Sequence, residues 1–170
     1  MKTNSIKMSV LLVAVTFFII LGFSMAQAGV TAVSGKLTLS YTKKEGFQIP
    51  DAAGHVLFIG ESHGTNASSN YMDGATVSNI SNDDLIKGTG PHTGYITSKT
   101  KDGNETIKKW SGAVKTVLSP EGKPITTFSG EWKYIKCSGE YEGCAGQGVY
   151  NGYFTAPETY VVDYKGILIQ

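Results

Sequence analysis

This 170-residue sequence contains no arginine, and its positive charge comes entirely from 15 lysines set against 14 acidic residues. Charged residues make up only 17% of the chain, while hydrophobic residues make up 41%. Proteins that bind polyanions use clustered positive charge and often the guanidinium fork of arginine. We therefore exclude nucleic acid as a partner. The hydrophobic content is high enough for a packed core, so disorder is excluded as well.

Long apolar runs are also missing, except near the N-terminus. Lys2 and Lys7 precede an apolar run over residues 9–23, and Ala26-Gln27-Ala28 provides the small residues that a signal peptidase needs. The run is shorter than the roughly 20 apolar residues that span a bilayer. We therefore predict a signal peptide over residues 1–28, a secreted or periplasmic protein, and no membrane association after cleavage.

Cysteine is scarce, with Cys137 and Cys144 as the only two in the chain. Their spacing fits neither a redox Cys-x-x-Cys motif nor a zinc finger, and no histidine lies nearby in sequence. In an oxidising compartment, an isolated pair this close is expected to form a disulfide that closes a short loop. The sequence therefore predicts a Cys137–Cys144 disulfide and no metal at these residues.

The residues after 28 show the period of two that is typical of half-buried strands, as where Leu37, Leu39 and Tyr41 alternate with polar side chains. Turn signals such as Asp102-Gly103 separate the segments, and no segment shows an amphipathic helical spacing. We predict an all-β fold for residues 29–170: one antiparallel, eight-stranded barrel that is closed or nearly closed. Its strands are predicted at 33–43, 55–61, 71–80, 94–100, 105–118, 125–136, 147–155 and 159–169.

Two short segments repeat the order aromatic-Ser-Gly, ending at Gly112 and at Gly130. Folding the two strands about the turn at 119–124 brings these glycines to nearly the same level. Glycine weakens a strand unless a bend or a close backbone approach needs it. We therefore expect the pair to let the sheet coil at this level, with a chance repeat as the alternative.

Glycine and aromatic residues alternate most regularly over residues 130–152. The pattern consists of Gly130-x-Trp132-x-x-Ile135, Gly139-x-Tyr141-x-Gly143 and Gly146-x-Gly148-x-Tyr150-x-Gly152. Over about residues 88–152 the chain resembles the allene-oxide-cyclase-type barrels, a family fold shared with dirigent proteins and with bacterial secreted proteins. Lipocalin-like and avidin-like barrels share the same alternation. The resemblance implies an eight-stranded barrel around a mainly apolar cavity, often in homo-oligomers, but no catalytic residue of the family can be matched here.

The ionisable residues carry no recognisable catalytic motif. His55 and His63 are eight residues apart, which on one strand face is about 26 Å, too far for a single metal ion. We therefore expect His55, His63 and His92 to be surface or loop residues, with no metal site and no cofactor. Glu61 beside His63 could act as an acid–base pair, whereas Asp83-Asp84 is expected to be a solvated turn.

The aromatic residues suggest a ligand site, because a barrel of about eight strands can hold one small molecule. We predict that Tyr95, Trp110, Trp132 and Tyr150 line such a cavity. The preferred function is non-catalytic: a barrel that binds a small apolar molecule or acts as a scaffold. One alternative is a cyclase-like or dirigent-like enzyme that guides an apolar intermediate by confinement. The other is a structural interaction barrel with a filled interior.

Overall fold

A computed structural model describes residues 29–170 and shows an eight-stranded antiparallel barrel. Each strand pairs with the next in sequence, and β1 pairs with β8, which closes the barrel. The predicted fold is therefore confirmed, while the predicted signal peptide lies outside the described residues. The strands are β1 (Val30–Gln48), β2 (His55–Ala67), β3 (Thr76–Ile86), β4 (Gly90–Lys99), β5 (Glu105–Leu118), β6 (Pro124–Ser138), β7 (Gln147–Ala156) and β8 (Thr159–Ile169).

The third strand begins and ends later than its predicted range of 71–80. Tyr71 and Met72 belong instead to the β2–β3 loop, where both side chains are buried inside the barrel. The inward positions of β3 include Asn79, Ser81 and Asp83, all buried. Because polar residues occupy this inward face, the strand lacks the apolar alternation by which the other strands could be recognised.

The predicted meeting of Gly112 and Gly130 is confirmed, since the two residues are direct partners between β5 and β6. A methyl group at either position would lie 2.6 Å from the Tyr150 hydroxyl oxygen. The ring of Trp132 occupies the corresponding space over Gly148, and Phe128 occupies that over Gly152. The inward glycines therefore make room for large aromatic side chains inside the barrel.

The disulfide lies between β6 and β7. Cys137 is near the end of β6, Cys144 follows a single 3-10 turn at Gly139–Tyr141, and their Cα atoms are 5.7 Å apart. The predicted cysteine pairing is therefore confirmed. Among residues 29–170, no helix is long and apolar enough to cross a membrane.

The two ends of the barrel differ. One end, which we call the plugged end, carries the β2–β3 loop, the β4–β5 turn and the β6–β7 connection. There Asn66 holds the β2–β3 loop, because its Nδ2 donates to the carbonyl oxygens of Tyr71 and Met72 at 2.9 and 2.8 Å. Tyr164 donates to Asn66 Oδ1 at 2.9 Å. The opposite end, which we call the cavity end, carries the remaining four turns.

Candidate functional site

The barrel contains a cavity of about 750 Å³ in the half nearest the cavity end. Gly88 and Pro157, in two of the turns there, and Pro124, the first residue of β6, contribute to its lining. This volume lies in the range of sites that bind small molecules. Aliphatic side chains such as Leu39, Val114 and Val162 form part of its wall. The aromatic part of the wall consists of Tyr41, Phe58, Trp110, Phe128, Tyr150, Tyr153, Phe154 and Tyr160.

A row of residues crosses one wall of this cavity at a single level. Asp83 on β3 is paired with His92 on β4, and His92 is paired with Gly112 on β5. Gly112 is paired with Gly130 on β6, which in turn is paired with Tyr150 on β7. Because both positions between His92 and Tyr150 are glycine, the tyrosine ring can lie across two strands and reach the imidazole.

The three polar side chains of this row contact one another inside the barrel. Nε2 of His92 is 2.9 Å from the Tyr150 hydroxyl oxygen, and Nδ1 is 3.5 Å from Oδ1 of Asp83. Ser81 donates to the other carboxylate oxygen at 3.3 Å. Asp83, His92 and Tyr150 are 9, 7 and 6% exposed. Burial raises the pKa of the Tyr150 hydroxyl, and the negative charge of Asp83 adds to this effect, so the phenol remains protonated.

A second set of hydrogen bonds orients two aromatic walls of the cavity. Trp110 Nε1 donates to Asn79 Oδ1 at 2.9 Å, and Asn79 Nδ2 donates to the Tyr160 hydroxyl at 3.1 Å. The Tyr160 hydroxyl is also bonded to Ser62 Oγ at 2.5 Å. Each of these buried polar groups has a partner, so the rings of Trp110 and Tyr160 are held in place.

Between this polar layer and the plugged end lies a buried lysine, Lys108, which is 7% exposed. Its Nζ lies 4.7–5.2 Å from the centroids of four aromatic rings, those of Tyr71, Trp132, Tyr134 and Tyr164. No carboxylate of residues 29–170 forms an ion pair with it. Burial lowers the pKa of Lys108 to about 7, while the surrounding ring faces favour its charged form.

The four aromatic residues predicted to line a cavity lie in three different places. Trp110 and Tyr150 line the large cavity. Trp132 also points inward, but it contacts Tyr134 and Tyr164 beside Lys108 and does not contribute to the lining.

Tyr95 does not match the expected placement, because it lies on the outer face of β4 and is 47% exposed. The inward positions of this strand include His92, Gly94, Ile96 and Ser98, so Tyr95 falls on the opposite side. Its ring lies 5.8 Å from Nζ of the outward-facing Lys109.

The histidines also lie in different places. His63 is on the outer face of β2, half-exposed, with Nε2 3.0 Å from Glu61 Oε1. His55, at the cavity end, contacts Asp51 through Nδ1 and Asp84 through Nε2, the latter at 2.5 Å. The hydrogen bond to Asp84, and then that to Asp51, raise the pKa of His55.

Two expectations about polar residues are therefore wrong. His92 is buried in the cavity wall, where a surface or loop position was expected, and Asp83 lies on β3, where a solvated turn was expected. The even spacing of Asn79, Ser81 and Asp83 is the sequence signal that could have placed the Asp83 carboxylate inside the barrel. Within residues 29–170, no group of three or more His, Cys, Asp or Glu residues could hold a metal ion.

In comparisons with known proteins, no protein-family model and no curated protein matches the chain.

Proposed function

We propose that this protein is a non-catalytic barrel that binds one small, largely apolar molecule in its cavity. The observation that carries the proposal is the cavity of about 750 Å³, lined mainly by aromatic and aliphatic side chains. Transfer of an apolar ligand from water into such a site contributes roughly 25 cal/mol per Å² of buried apolar surface. A molecule of modest size would therefore gain enough from burial for specific binding.

The polar groups of the cavity fit a binding role. Asp83, His92 and Tyr150 lie side by side on one wall, with aromatic and aliphatic surface forming most of the remainder. Binding sites combine an apolar lining with a few fixed polar groups that orient the ligand. The hydrogen bond between His92 and Tyr150, the contact of His92 with Asp83 and the hydrogen bond from Ser81 to Asp83 fix these groups before a ligand arrives, which reduces the entropy lost on binding.

A second candidate is an enzyme similar to allene oxide cyclases or dirigent proteins, which would guide an apolar intermediate by confinement. The specific observation in its favour is the contact between Asp83, His92 and Tyr150, because a carboxylate and an imidazole can exchange protons with a bound molecule. A structural barrel with a filled interior is less well supported, because the filled part is the plugged end and not the whole barrel.

Export from the cytoplasm is part of the proposal. A disulfide persists in an oxidising compartment, and Cys137 and Cys144 are paired. We propose that residues 1–28 direct the chain to the periplasm or the cell exterior and are then removed. Ligand binding would accordingly take place outside the reducing cytoplasm.

The binding proposal is tested by fluorescence titration with Nile red, an uncharged apolar dye. The full chain is expressed with its own leader and purified from an oxidising compartment without detergent. Val114 lines the cavity and is 7% exposed, so a Val114→Trp variant fills the site. Val149 is 40% exposed on the outer face of β7, and Val149→Trp is the matched control.

We expect one dye molecule to bind per barrel in the wild type and in Val149→Trp, and affinity to fall at least tenfold in Val114→Trp. Equal binding by Val114→Trp would place the dye outside the cavity and overturn the proposal. Absence of binding by the folded wild type would overturn it as well.

A further inference from the structure

We propose that the cavity selects organic cations, holding the ammonium group of an apolar amine at Asp83 and the remainder of the molecule among the aromatic rings. This inference rests on the proposed function, because it specifies the class of molecule that the cavity takes. Three features support it: the sign and placement of the charges in the lining, the nature of the rings around them, and the position of Lys44 against two of these rings.

Of residues 29–170, Asp83 is the only acidic one in the cavity lining. Among residues 29–170 its only basic neighbour within 4.0 Å is His92, at 3.5 Å, and the other ring nitrogen of that histidine is bonded to Tyr150. A carboxylate in apolar surroundings is costly unless cations or hydrogen-bond donors compensate its charge. Because a carboxylate can accept about four hydrogen bonds, Asp83 retains acceptor capacity beyond His92 and Ser81.

The rings near Asp83 suit a cation as well. The negative face of an aromatic ring attracts an ammonium group within about 6 Å of its centroid. The ring centroids of Trp110 and Phe128 lie 4.8 and 5.8 Å from that of His92, and His92 Nδ1 is 3.5 Å from Asp83 Oδ1. Burial raises the pKa of the Tyr41 hydroxyl, and coulombic interactions with Tyr160 and with Asp83 add to this effect.

The protein itself places an ammonium group against this lining. Nζ of Lys44 lies 5.1 Å from the ring centroid of Tyr41 and 5.6 Å from that of Phe58, and all three residues contribute to the cavity. Lys44 is exposed, so its amine sits at the solvent-accessible edge. A ligand amine entering deeper would meet the same type of surface and, in addition, the buried carboxylate.

The same arrangement disfavours other ligands. An anion in the cavity would face the negative charge of Asp83, and an uncharged molecule could not compensate that charge. The class that fits is a primary or secondary amine, cationic at neutral pH, on an aromatic or alicyclic body that the cavity can enclose. Charge-assisted hydrogen bonds to the carboxylate would supply the selectivity.

The test uses three ligands with the same indole body: tryptamine as the cation, tryptophol as the neutral form and indole-3-propionate as the anion. Calorimetric titration of the full chain, purified as for the dye experiment, gives the three affinities at neutral pH. We expect tryptamine to bind at least tenfold more tightly than tryptophol, and indole-3-propionate to bind most weakly.

Two variants locate the effect. Asp83→Asn keeps the size of the side chain and an acceptor oxygen but removes the charge, so it should lower the affinity for tryptamine at least tenfold and leave tryptophol within threefold. Asp163→Asn removes a carboxylate from the outer face of β8, where the side chain is 53% exposed, and should change neither affinity. Retained tryptophol binding and an unchanged circular dichroism spectrum show that the Asp83→Asn barrel is folded.

The amine proposal is overturned if tryptamine binds no more tightly than tryptophol, if indole-3-propionate binds best, or if folded Asp83→Asn keeps the preference. In each case binding of tryptophol or Nile red leaves the proposed function standing, whereas loss of all binding removes both. If Asp83→Asn does not fold, the affinity of the wild type for N-acetyltryptamine tests the amine proposal instead. Without a basic nitrogen, it should bind no more tightly than tryptophol, and equal binding with tryptamine would contradict the proposal.

Discussion

The hydroxyl oxygen of Tyr150 on β7 lies 2.9 Å from Nε2 of His92 on β4, three strands away along the barrel wall. The contact spans this distance because Gly130 and Gly112 occupy the two positions between them in the strand register. A side chain at either position would fill the space through which the tyrosine passes. The polar wall of the cavity therefore depends on two residues that have no side chain.

Replacing Gly130 by alanine should destabilise the barrel and displace Tyr150 from His92. The added methyl group would lie 2.6 Å from the tyrosine hydroxyl and closer still to the backbone carbonyl of Ser111. We expect a loss of about 1–3 kcal/mol in the free energy of unfolding, measured by urea denaturation, which is typical of overpacking. Gly29→Ala is the control, because the nearest atom there is 3.9 Å away, and it should be close to neutral. Equal stability of Gly130→Ala and wild type would show that the barrel can absorb the methyl group without strain.

Replacing Lys108 by methionine should stabilise the protein at pH 7, by about 1–4 kcal/mol, because a buried charge without an anionic partner is removed. The pKa of Lys108 is lowered from 10.5 to about 7 in the folded state. Between these values the unfolded chain binds more protons than the folded one, so wild-type stability should rise with pH.

Urea denaturation at about pH 7 and pH 9 tests this account of Lys108. The advantage of Lys108→Met should shrink as the pH rises, whereas Lys109→Met, on the exposed outer face, should show no such trend. A variant less stable than the wild type at pH 7 would mean that the four surrounding rings stabilise the ammonium more than burial destabilises it.

His55 should contribute stability that depends on pH in the opposite direction. Its hydrogen bonds to Asp84 and Asp51 raise its folded pKa above the ordinary value of 6.5. Its contribution is therefore fully present below about pH 6.5 and is lost as the pH rises through the higher folded pKa. Thermal melting should show that His55→Gln lowers the midpoint more at about pH 5.5 than at pH 9. An equal decrease in the melting midpoint at both pH values would contradict an ion pair between protonated His55 and the two aspartates.

Loss of the disulfide should lower the stability of the barrel without unfolding it. Cys137 and Cys144 are separated by seven positions, so the closed loop is short. The loop-entropy relation gives about 2–3 kcal/mol for such a loop. Urea denaturation of Cys137→Ser/Cys144→Ser should show a loss of this size, and reduction of the wild type should reproduce it. An unchanged midpoint would show that the surrounding strands already hold the β6–β7 connection.

The sequence predicts the architecture well because most strands of this barrel show their own alternation. Leu37 and Leu39 on β1 are inward and buried, as their period of two indicates. The bounds of β3 are predicted incorrectly because its inward face carries the polar residues Asn79, Ser81 and Asp83. Where the interior is polar, hydrophobic periodicity does not distinguish the inside of a strand from its outside.

The site could be predicted only in part for a related reason. The buried inward positions of β4 are a histidine, a glycine, Ile96 and a serine, whereas Tyr95, the one aromatic side chain of the Trp, Tyr or Phe type on this strand, points outward. Lys108 and Lys109 are adjacent and chemically identical, yet only Lys108 lies two residues from Trp110 and shares its inward face. The contacts among Asp83, His92 and Tyr150 depend on pairing between distant strands, which a single sequence does not specify.

Native mass spectrometry with tryptophol tests the central claim, that the barrel holds a small apolar molecule in its cavity. The full chain is purified from an oxidising compartment without detergent and compared with Val114→Trp. We expect one tryptophol molecule per chain in the wild type, and loss of that adduct in the folded variant, because the introduced indole occupies the cavity. No adduct in the wild type, or the same adduct in both proteins, would contradict ligand binding inside the barrel.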